Sequence, residues 1–188
     1  MDTGTNLILT GMKHTGKSTV GRLLAEAAGR PFLDADDLVG SLSGKSPREL
    51  YDEGGPALMM EWETKACRWV ADRYPGGADD AIGGARKTCV LATGGGLADN
   101  REACAILASS GILIFLDTDF EIAFQRVLAS AERDGRLPGF LKGGDPRSLF
   151  LELFNRRREI YVTMSRIQIL TGTMLPQDIV RTIMSKLE

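Results

Sequence analysis

The sequence feature that most constrains the fold is a glycine-rich loop between an apolar run and a helical pattern near the amino terminus. The loop GMKHTGKS, residues 11–18, follows the apolar run NLILTG and matches G-x-x-x-x-G-K-[ST]. Apolar residues then recur at helical spacing from Lys17 to Ala28. Such a loop turns its backbone N–H groups toward a polyphosphate, and the helix adds its positive N-terminus. The strand–loop–helix order therefore predicts nucleotide binding in an α/β fold.

The same pattern predicts which loop residues hold the nucleotide. Lys17 would reach the β and γ phosphates, and the Ser18 hydroxyl would hold Mg²⁺. Lys13 and His14 occupy the variable positions of the loop, so an alternative is that their side chains are simply exposed on its crest. The predicted nucleotide-binding residues are Gly11, Lys13, His14, Thr15, Gly16, Lys17, Ser18 and Thr19.

The rest of the chain alternates short apolar runs with helical patterns. Five predicted strands and the helices between them indicate a three-layer α/β fold, with a five-stranded parallel sheet and helices on both faces. We expect a single domain spanning residues 1–188. Residues 74–87 are predicted to form an insertion loop, and the cation-rich, glycine-punctuated residues 133–148 a mobile lid. The remaining strands are predicted in RPFLD, TCVLA, ILIFLD and RIQIL, and the remaining helices from Ser46, at 57–73, 100–110, 120–132 and 147–163, and from Pro176.

Composition excludes several classes of protein. A net charge of -2 and a pI near 5.6 argue against a general nucleic-acid binder. No apolar run approaches the roughly 18 residues of a membrane span, and the acidic start MDTGTN does not resemble a signal peptide. The three cysteines lack metal-ligand spacing and are predicted to be apolar fillers. We therefore expect a cytoplasmic monomer whose partner is a small molecule, with no nucleic acid or membrane partner.

Carboxylates follow the second predicted strand, in FLDADD at residues 32–37. Ligands of parallel sheets gather at the carboxyl ends of the strands, which places Asp34 and Asp36 beside the glycine loop. Asp117, at the end of ILIFLD, is an alternative Mg²⁺ ligand, and each aspartate could instead be a helix N-cap. The chain carries no Asn-Lys-x-Asp guanine-binding pattern, so a Ras-like GTPase is not indicated.

Taken together, several segments resemble the shikimate kinase family over nearly the whole chain. They are GMKHTGKSTVGRLLA, FLDADD, GKSPRELYDEGG, VLATGGG, RDGRLP and RRREIY. The resemblance implies transfer of the γ-phosphoryl group of ATP, with Mg²⁺, to a hydroxyl of a small carboxylated ring. Shikimate is the first candidate, which would give shikimate 3-phosphate in aromatic amino acid biosynthesis.

The resemblance also implies a catalytic role for three residues. Lys17 and Asp34 would lie beside the transferring phosphoryl group, with Asp34 and Ser18 near Mg²⁺. Arg136 would close over the phosphates on the lid, and Arg133 competes with it for this role. A mobile arginine, a lysine and a metal ion suffice for phosphoryl transfer, because positioning and charge neutralisation dominate its catalysis.

The acceptor would be held by a second set of residues under the same resemblance. Asp36 would accept hydrogen bonds from acceptor hydroxyls and help to remove the proton. Arg157 would grip the acceptor carboxylate, although the run 156–158 could instead form a solvated face. The glycine triplet would let the acceptor lie against backbone, and its residues are Gly94, Gly95 and Gly96.

The sequence departs from the family pattern on the predicted substrate helix. Continued without a gap from GKSPRELYDEGG, the family pattern Phe-Arg-x-x-Glu falls on Met59, Met60 and Glu63. Since the missing arginine is a second cation for the acceptor carboxylate, Met60 predicts a less cationic acceptor pocket. Three hypotheses follow: weak use of shikimate, use of another polyol or less acidic ring, or a nucleotide-binding regulatory module that has lost shikimate binding.

Overall fold

A computed structural model describes residues 4–76, 87–135, 138–141 and 143–188, and its strands form one parallel sheet. The order across the sheet is β2-β3-β1-β4-β5, and every neighbouring pair is parallel. The five predicted parallel strands are therefore confirmed. They are β1 Asn6–Thr10, β2 Phe32–Asp34, β3 Val90–Ala92, β4 Gly111–Asp117 and β5 Ile167–Leu170.

Helices cover both faces of this sheet. Alternate residues of β1 point to opposite sides: Ile8 joins a core with residues of α3 to α6, whereas Leu7 and Leu9 join a core with α1 and α7. The predicted three-layer architecture is confirmed. The α-helices are α1 Lys17–Ala28, α2 Ala35–Ser43, α3 Pro47–Arg73, α4 Arg101–Ser110, α5 Phe120–Arg133, α6 Pro146–Met164 and α7 Pro176–Leu187, and short 3₁₀ turns occupy Leu97–Asp99 and Gly139–Leu141.

Two features of the helices bear on the sequence predictions. Helix α2 was not predicted, because ADDLVGSLS contains glycine and serines and buries only Ala35 and Val39. Helix α3 bends at Gly55, where φ is 66° and ψ is -160°, and Pro56 follows. The two helices predicted from Ser46 and at 57–73 therefore meet at this bend, and glycine suits it because a positive φ strains other residues.

The predicted insertion and lid fall partly outside the described residues. Of the insertion 74–87, residues 77–86 are not described, and the same holds for positions 136, 137 and 142 of the lid 133–148. Between α5 and α6, Leu141 is buried and the Phe140 ring lies 6.4 Å from that of Phe150. The lid's mobility and the single-domain assignment stay predictions.

Two further expectations concern cysteines and membranes. Cys67, Cys89 and Cys104 are free thiols, and burial raises the pKa of each, which agrees with their predicted role as apolar fillers. In the described part of the chain, no helix has the length and apolar character needed to cross a membrane.

Candidate active site

The loop between β1 and α1 contains three residues with positive φ angles. Gly11 and Gly16 have φ of 144° and 89°, and His14 has φ of 62°. A Cβ atom at Gly11 would lie 2.9 Å from the Leu116 carbonyl oxygen, so the loop sits directly against the end of β4. The Thr15 hydroxyl donates to the Met12 carbonyl at 2.9 Å and closes the turn.

Lys17 lies at the base of this loop. Its ammonium group donates to the carbonyl oxygens of Gly11 at 3.0 Å and Met12 at 2.7 Å, and only 7% of the residue is exposed. Burial lowers the pKa of Lys17 to about 8, with partial compensation from Asp36 and Asp34. Lys17 is therefore mostly protonated at neutral pH and supplies a buried positive charge under the loop.

Ser18 and Asp34 meet beside the loop. The Ser18 hydroxyl donates to Asp34 Oδ2 at 2.6 Å, while Asp34 Oδ1 accepts from the Asp36 backbone N–H at 3.0 Å and caps α2. The N-cap interpretation of Asp34 is confirmed, and its other carboxylate oxygen remains directed at Ser18. A hydroxyl and a carboxylate oxygen side by side fit Mg²⁺, which takes few protein oxygens and completes its shell with phosphates and water.

Asp117, the alternative metal ligand, accepts hydrogen bonds from two other side chains. The carboxylate is buried and accepts from Arg158 Nε at 2.9 Å and Nη2 at 2.6 Å. The side-chain amide of Gln168 donates to the same carboxylate at 2.7 Å. These bonds tie β4, β5 and α6 together and occupy both carboxylate oxygens of Asp117 with protein donors.

The crest of the loop carries Lys13 and His14. Lys13 is exposed and His14 half-buried, and Arg126 donates to the His14 carbonyl at 3.2 Å. Burial, followed by the charges of Lys13 and Lys17, lowers the pKa of His14 to about 4, so His14 is neutral at pH 7. Thr19 is exposed on the first turn of α1. Arg133 lies near enough to contribute to the His14 shift, whereas Arg136 lies outside the described residues.

The glycine triplet joins three parts of the site. A Cβ atom at Gly94 would lie 3.1 Å from both Asp36 Oδ1 and Glu63 Oε1, and one at Gly95 would lie 2.6 Å from the Lys13 backbone nitrogen. At Gly96 the same atom would meet Arg157 Nη2 at 3.7 Å. The triplet therefore brings the carboxylates, the phosphate loop and the arginine to one short segment of backbone.

Two carboxylates border the space above Gly94. Burial, and then the charge of Asp34, raise the pKa of Asp36, although part of this residue is exposed at the mouth of the site. Glu63 is 5% exposed, and burial raises its pKa to about 7. The Asn100 side-chain amide donates to Glu63 Oε2 at 3.0 Å and to the Met60 carbonyl at 2.9 Å. Sequence reasoning missed Asn100 as a site residue, although it lies shortly after the triplet and at the start of the predicted helix 100–110, where its side chain caps α4.

Arg157 faces the triplet from α6. Its Nη1 donates to the Gly95 carbonyl at 3.0 Å, and its Nη2 and Nε donate to Asp99 Oδ2 at 2.7 and 3.2 Å. Its side chain is 12% exposed, so the solvated-face alternative is wrong for this residue. Arg156 binds the other oxygen of Asp99 at 2.6 Å. Asp99 was not predicted as part of the site.

The two methionines of α3 have different surroundings. Met59 packs against the buried cluster of Val39, Leu50 and Ala66 and is therefore an apolar residue at the edge of the core. Met60 is half-buried and lines a groove between α3 and α4 together with Asn100. Met60 thus places an apolar side chain next to the segment that carries the triplet, Asp99 and Asn100.

Comparison with known proteins agrees with this geometry. The shikimate kinase family pattern matches residues 13–188. The shikimate kinase of Symbiobacterium thermophilum is 34% identical over 186 residues, covering 97% of this chain and 96% of that protein.

Solved structures show the same likeness. Shikimate kinase from Acinetobacter baumannii, in complex with shikimate, has a TM-score of 0.81 and 26% identity, with 99% of this chain and 94% of that chain covered. Shikimate kinase from Aquifex aeolicus gives a TM-score of 0.74 at 26% identity, with 97% and 95% covered. The chain therefore belongs to the shikimate kinase family, and it is a kinase of the ATP:alcohol phosphotransferase type.

Proposed function

We propose that the protein transfers the γ-phosphoryl group of ATP to a hydroxyl group of shikimate, which makes shikimate 3-phosphate for aromatic amino acid biosynthesis. The observation that carries the proposal is the glycine triplet, which borders the phosphate loop at Gly95 and both Asp36 and Arg157 on either side. Donor and acceptor groups would therefore meet across one backbone segment. In-line phosphoryl transfer requires this proximity, since its catalysis is mostly positioning and charge neutralisation.

On the donor side, Lys17 and the N-terminus of α1 would neutralise the phosphates. The loop residues from Gly11 to Thr19 would surround them, and Ser18 and Asp34 would hold Mg²⁺, which neutralises the charge of the phosphates when bound. The lid arginine, Arg136 or Arg133, would complete the neutralisation.

On the acceptor side, Asp36 would accept the hydrogen bond of the reacting hydroxyl. Its raised pKa makes it a stronger base than an ordinary aspartate, which suits partial proton removal as the new bond forms. Arg157 would hold the acceptor carboxylate, and the triplet would present backbone to the ring. The proposal also covers a monomeric, cytoplasmic enzyme acting on a small molecule.

A second candidate function keeps the chemistry and changes the acceptor. Met60 lies in the groove beside Asp99 and Asn100, where it offers no charge. A polyol or a ring without a carboxylate would not need the cation that the family pattern has there. This observation supports a less acidic acceptor as the second candidate.

A coupled assay for ADP release tests both candidates. Purified protein with Mg²⁺ and ATP should phosphorylate shikimate, with a high KM because of Met60. Met60→Arg should lower that KM by about tenfold, and Met59→Leu serves as a control on the same helix. Turnover with a neutral polyol but not with shikimate would select the second candidate. Thermal stabilisation by ATP without turnover of any acceptor would instead indicate a regulatory module.

A further inference from the structure

Arg157 is held by protein atoms before any acceptor arrives. Its Nε and Nη2 both donate to Asp99 Oδ2, and its Nη1 donates to the Gly95 carbonyl. A guanidinium grips a carboxylate through two parallel N–H groups. In Arg157, the edge formed by Nε and Nη2 already binds the carboxylate of Asp99 and is not free for an acceptor carboxylate.

The charge of Asp99 persists at neutral pH. Its burial alone would raise the pKa, but the hydrogen bonds from Arg156 and Arg157 outweigh this effect and hold the pKa below its ordinary value. Asp99 therefore remains an anion, and it offsets positive charge that would otherwise attract an acceptor carboxylate.

The three charges are not equally screened by solvent. The side chains of Arg157 and Asp99 are 12% and 28% exposed, whereas that of Arg156 is 54% exposed. Because water screens exposed charges most, Arg156 contributes least to the field inside the pocket. Asp36 and Glu63 add two acidic groups at the Gly94 end of the triplet. Met60, in the neighbouring groove, contributes no positive charge.

We propose that Asp99 is a specificity-determining residue, which neutralises Arg157 and makes the site accept hydroxylated rings whether or not they carry a carboxylate. The inference rests on the proposed function, because it takes Arg157 as the residue that faces the acceptor. The inference defines the acceptor class by its ring hydroxyls. The triplet and Asp36 recognise these hydroxyls, and a carboxylate on the ring adds little to the binding affinity.

Binding of shikimate and of its methyl ester, measured by calorimetry in the presence of MgADP, tests the role of Asp99. The two ligands share the ring hydroxyls and differ in charge. The unaltered protein should bind both with Kd values within about threefold of each other. Asp99→Asn should bind shikimate about tenfold more tightly, because a like charge beside the carboxylate is removed, and should bind the ester unchanged.

A matched control and a second variant complete the experiment. Asp178→Asn removes the same charge from the first turn of α7, where Asp178 pairs with the exposed Arg181, and should change neither Kd. Arg156→Gln removes a cation from Asp99 and should weaken shikimate binding about threefold without affecting the ester. This opposite change keeps the test decisive if thermal unfolding shows that Asp99→Asn does not fold.

Weaker shikimate binding in Asp99→Asn would overturn the inference, since it would mean that Asp99 positions Arg157 for the carboxylate. An equal change for shikimate and the ester would also overturn it. Absence of phosphoryl transfer to any acceptor would overturn the proposed function alone, because the two binding constants still decide the role of Asp99. Failure of both ligands to bind any variant would overturn both proposals.

Discussion

The donor and acceptor halves of the site are built differently. On the donor side, a backbone loop surrounds the position of the phosphates, and Lys17 is bound to two of the loop's own carbonyls. On the acceptor side, side chains from α2, α3, α6 and the 3₁₀ turn Leu97–Asp99 converge, and they include Glu63, Asp99 and Arg157. Under the proposed function, donor recognition would therefore depend on local backbone, whereas acceptor recognition would depend on side chains that are distant in sequence.

The largest expected effect is a loss of kcat after a substitution in the donor half of the site. Lys17→Met should lower kcat by at least about 100-fold, because the buried charge that neutralises the phosphates is lost. Steady-state kinetics with saturating acceptor measure it. Lys186→Met, on the exposed face of α7, removes the same charge elsewhere and should leave kcat unchanged. A kcat for Lys17→Met within tenfold of the unaltered protein would contradict the assignment.

The next largest expected effect is on the acceptor KM and comes from a substitution in the acceptor half of the site. Arg157→Met should raise the KM for shikimate by at least about 30-fold, because Asp99 loses its least exposed partner and its negative charge then repels the acceptor carboxylate, and should leave the KM for MgATP unchanged. Arg158→Met is the matched variant on the same helix. It should lower the free energy of unfolding by about 1–3 kcal/mol, because buried Asp117 loses its partner, with little change in the acceptor KM. Equal KM changes in both variants would refute this division.

A third change acts where the halves meet. Gly95→Ala would place a Cβ atom 2.6 Å from the Lys13 backbone nitrogen, so the loop or the triplet must shift. We expect a loss of about 1–3 kcal/mol in the free energy of unfolding, measured with urea. Gly96→Ala, whose Cβ would meet only Arg157 Nη2 at 3.7 Å, should change it by less than about 0.5 kcal/mol. A reversed order would show that the triplet is not packed as described.

The smallest expected effect is a pH dependence of the free energy of unfolding, caused by Glu63 in the acceptor half. The pKa of Glu63 in the folded protein is about 7, above its ordinary value of 4.5, so the folded state binds this proton more tightly than the unfolded state does. The resulting stability is complete below about pH 4.5 and is lost as the pH rises through 7.

Glu63→Gln cannot ionise, so its stability relative to the unaltered protein should improve by about 1–2 kcal/mol between pH 4 and pH 8. Thermal unfolding across this range measures the difference. Glu61→Gln, whose exposed carboxylate pairs with Lys65 on the same helix, is the control and should show no such trend. A constant difference for Glu63→Gln would mean that Glu63 is not protonated in the folded state.

The sequence predicted most of the donor half, because a glycine loop between a strand and a helix is specified by consecutive residues. Asp34 and the triplet were also predicted, since parallel strands end at one edge of the sheet. Helix α2 was missed because glycine and serines interrupt its short pattern, although Asp34 caps it.

The side-chain partners on the acceptor half were not predictable in the same way. Arg156, Arg157 and Arg158 are consecutive, and a helix turns about 100° per residue. The first two reach different oxygens of Asp99, and the third reaches Asp117. Sequence alone cannot distinguish these destinations, because they depend on how α6 packs over the sheet. The assignments of individual site residues, Arg136 among them, stay predictions.

The contact between Gly95 and the phosphate loop has a consequence for how such an enzyme changes its acceptor. At Gly95 the main chain of the triplet lies directly against the main chain of Lys13, so under the proposed function this contact would set the spacing between the donor and acceptor subsites. Replacements at positions 60 and 99 would then alter the preferred acceptor while the reacting distance stays the same. A lineage could exchange one ring alcohol for another and keep the same phosphoryl-transfer machinery throughout.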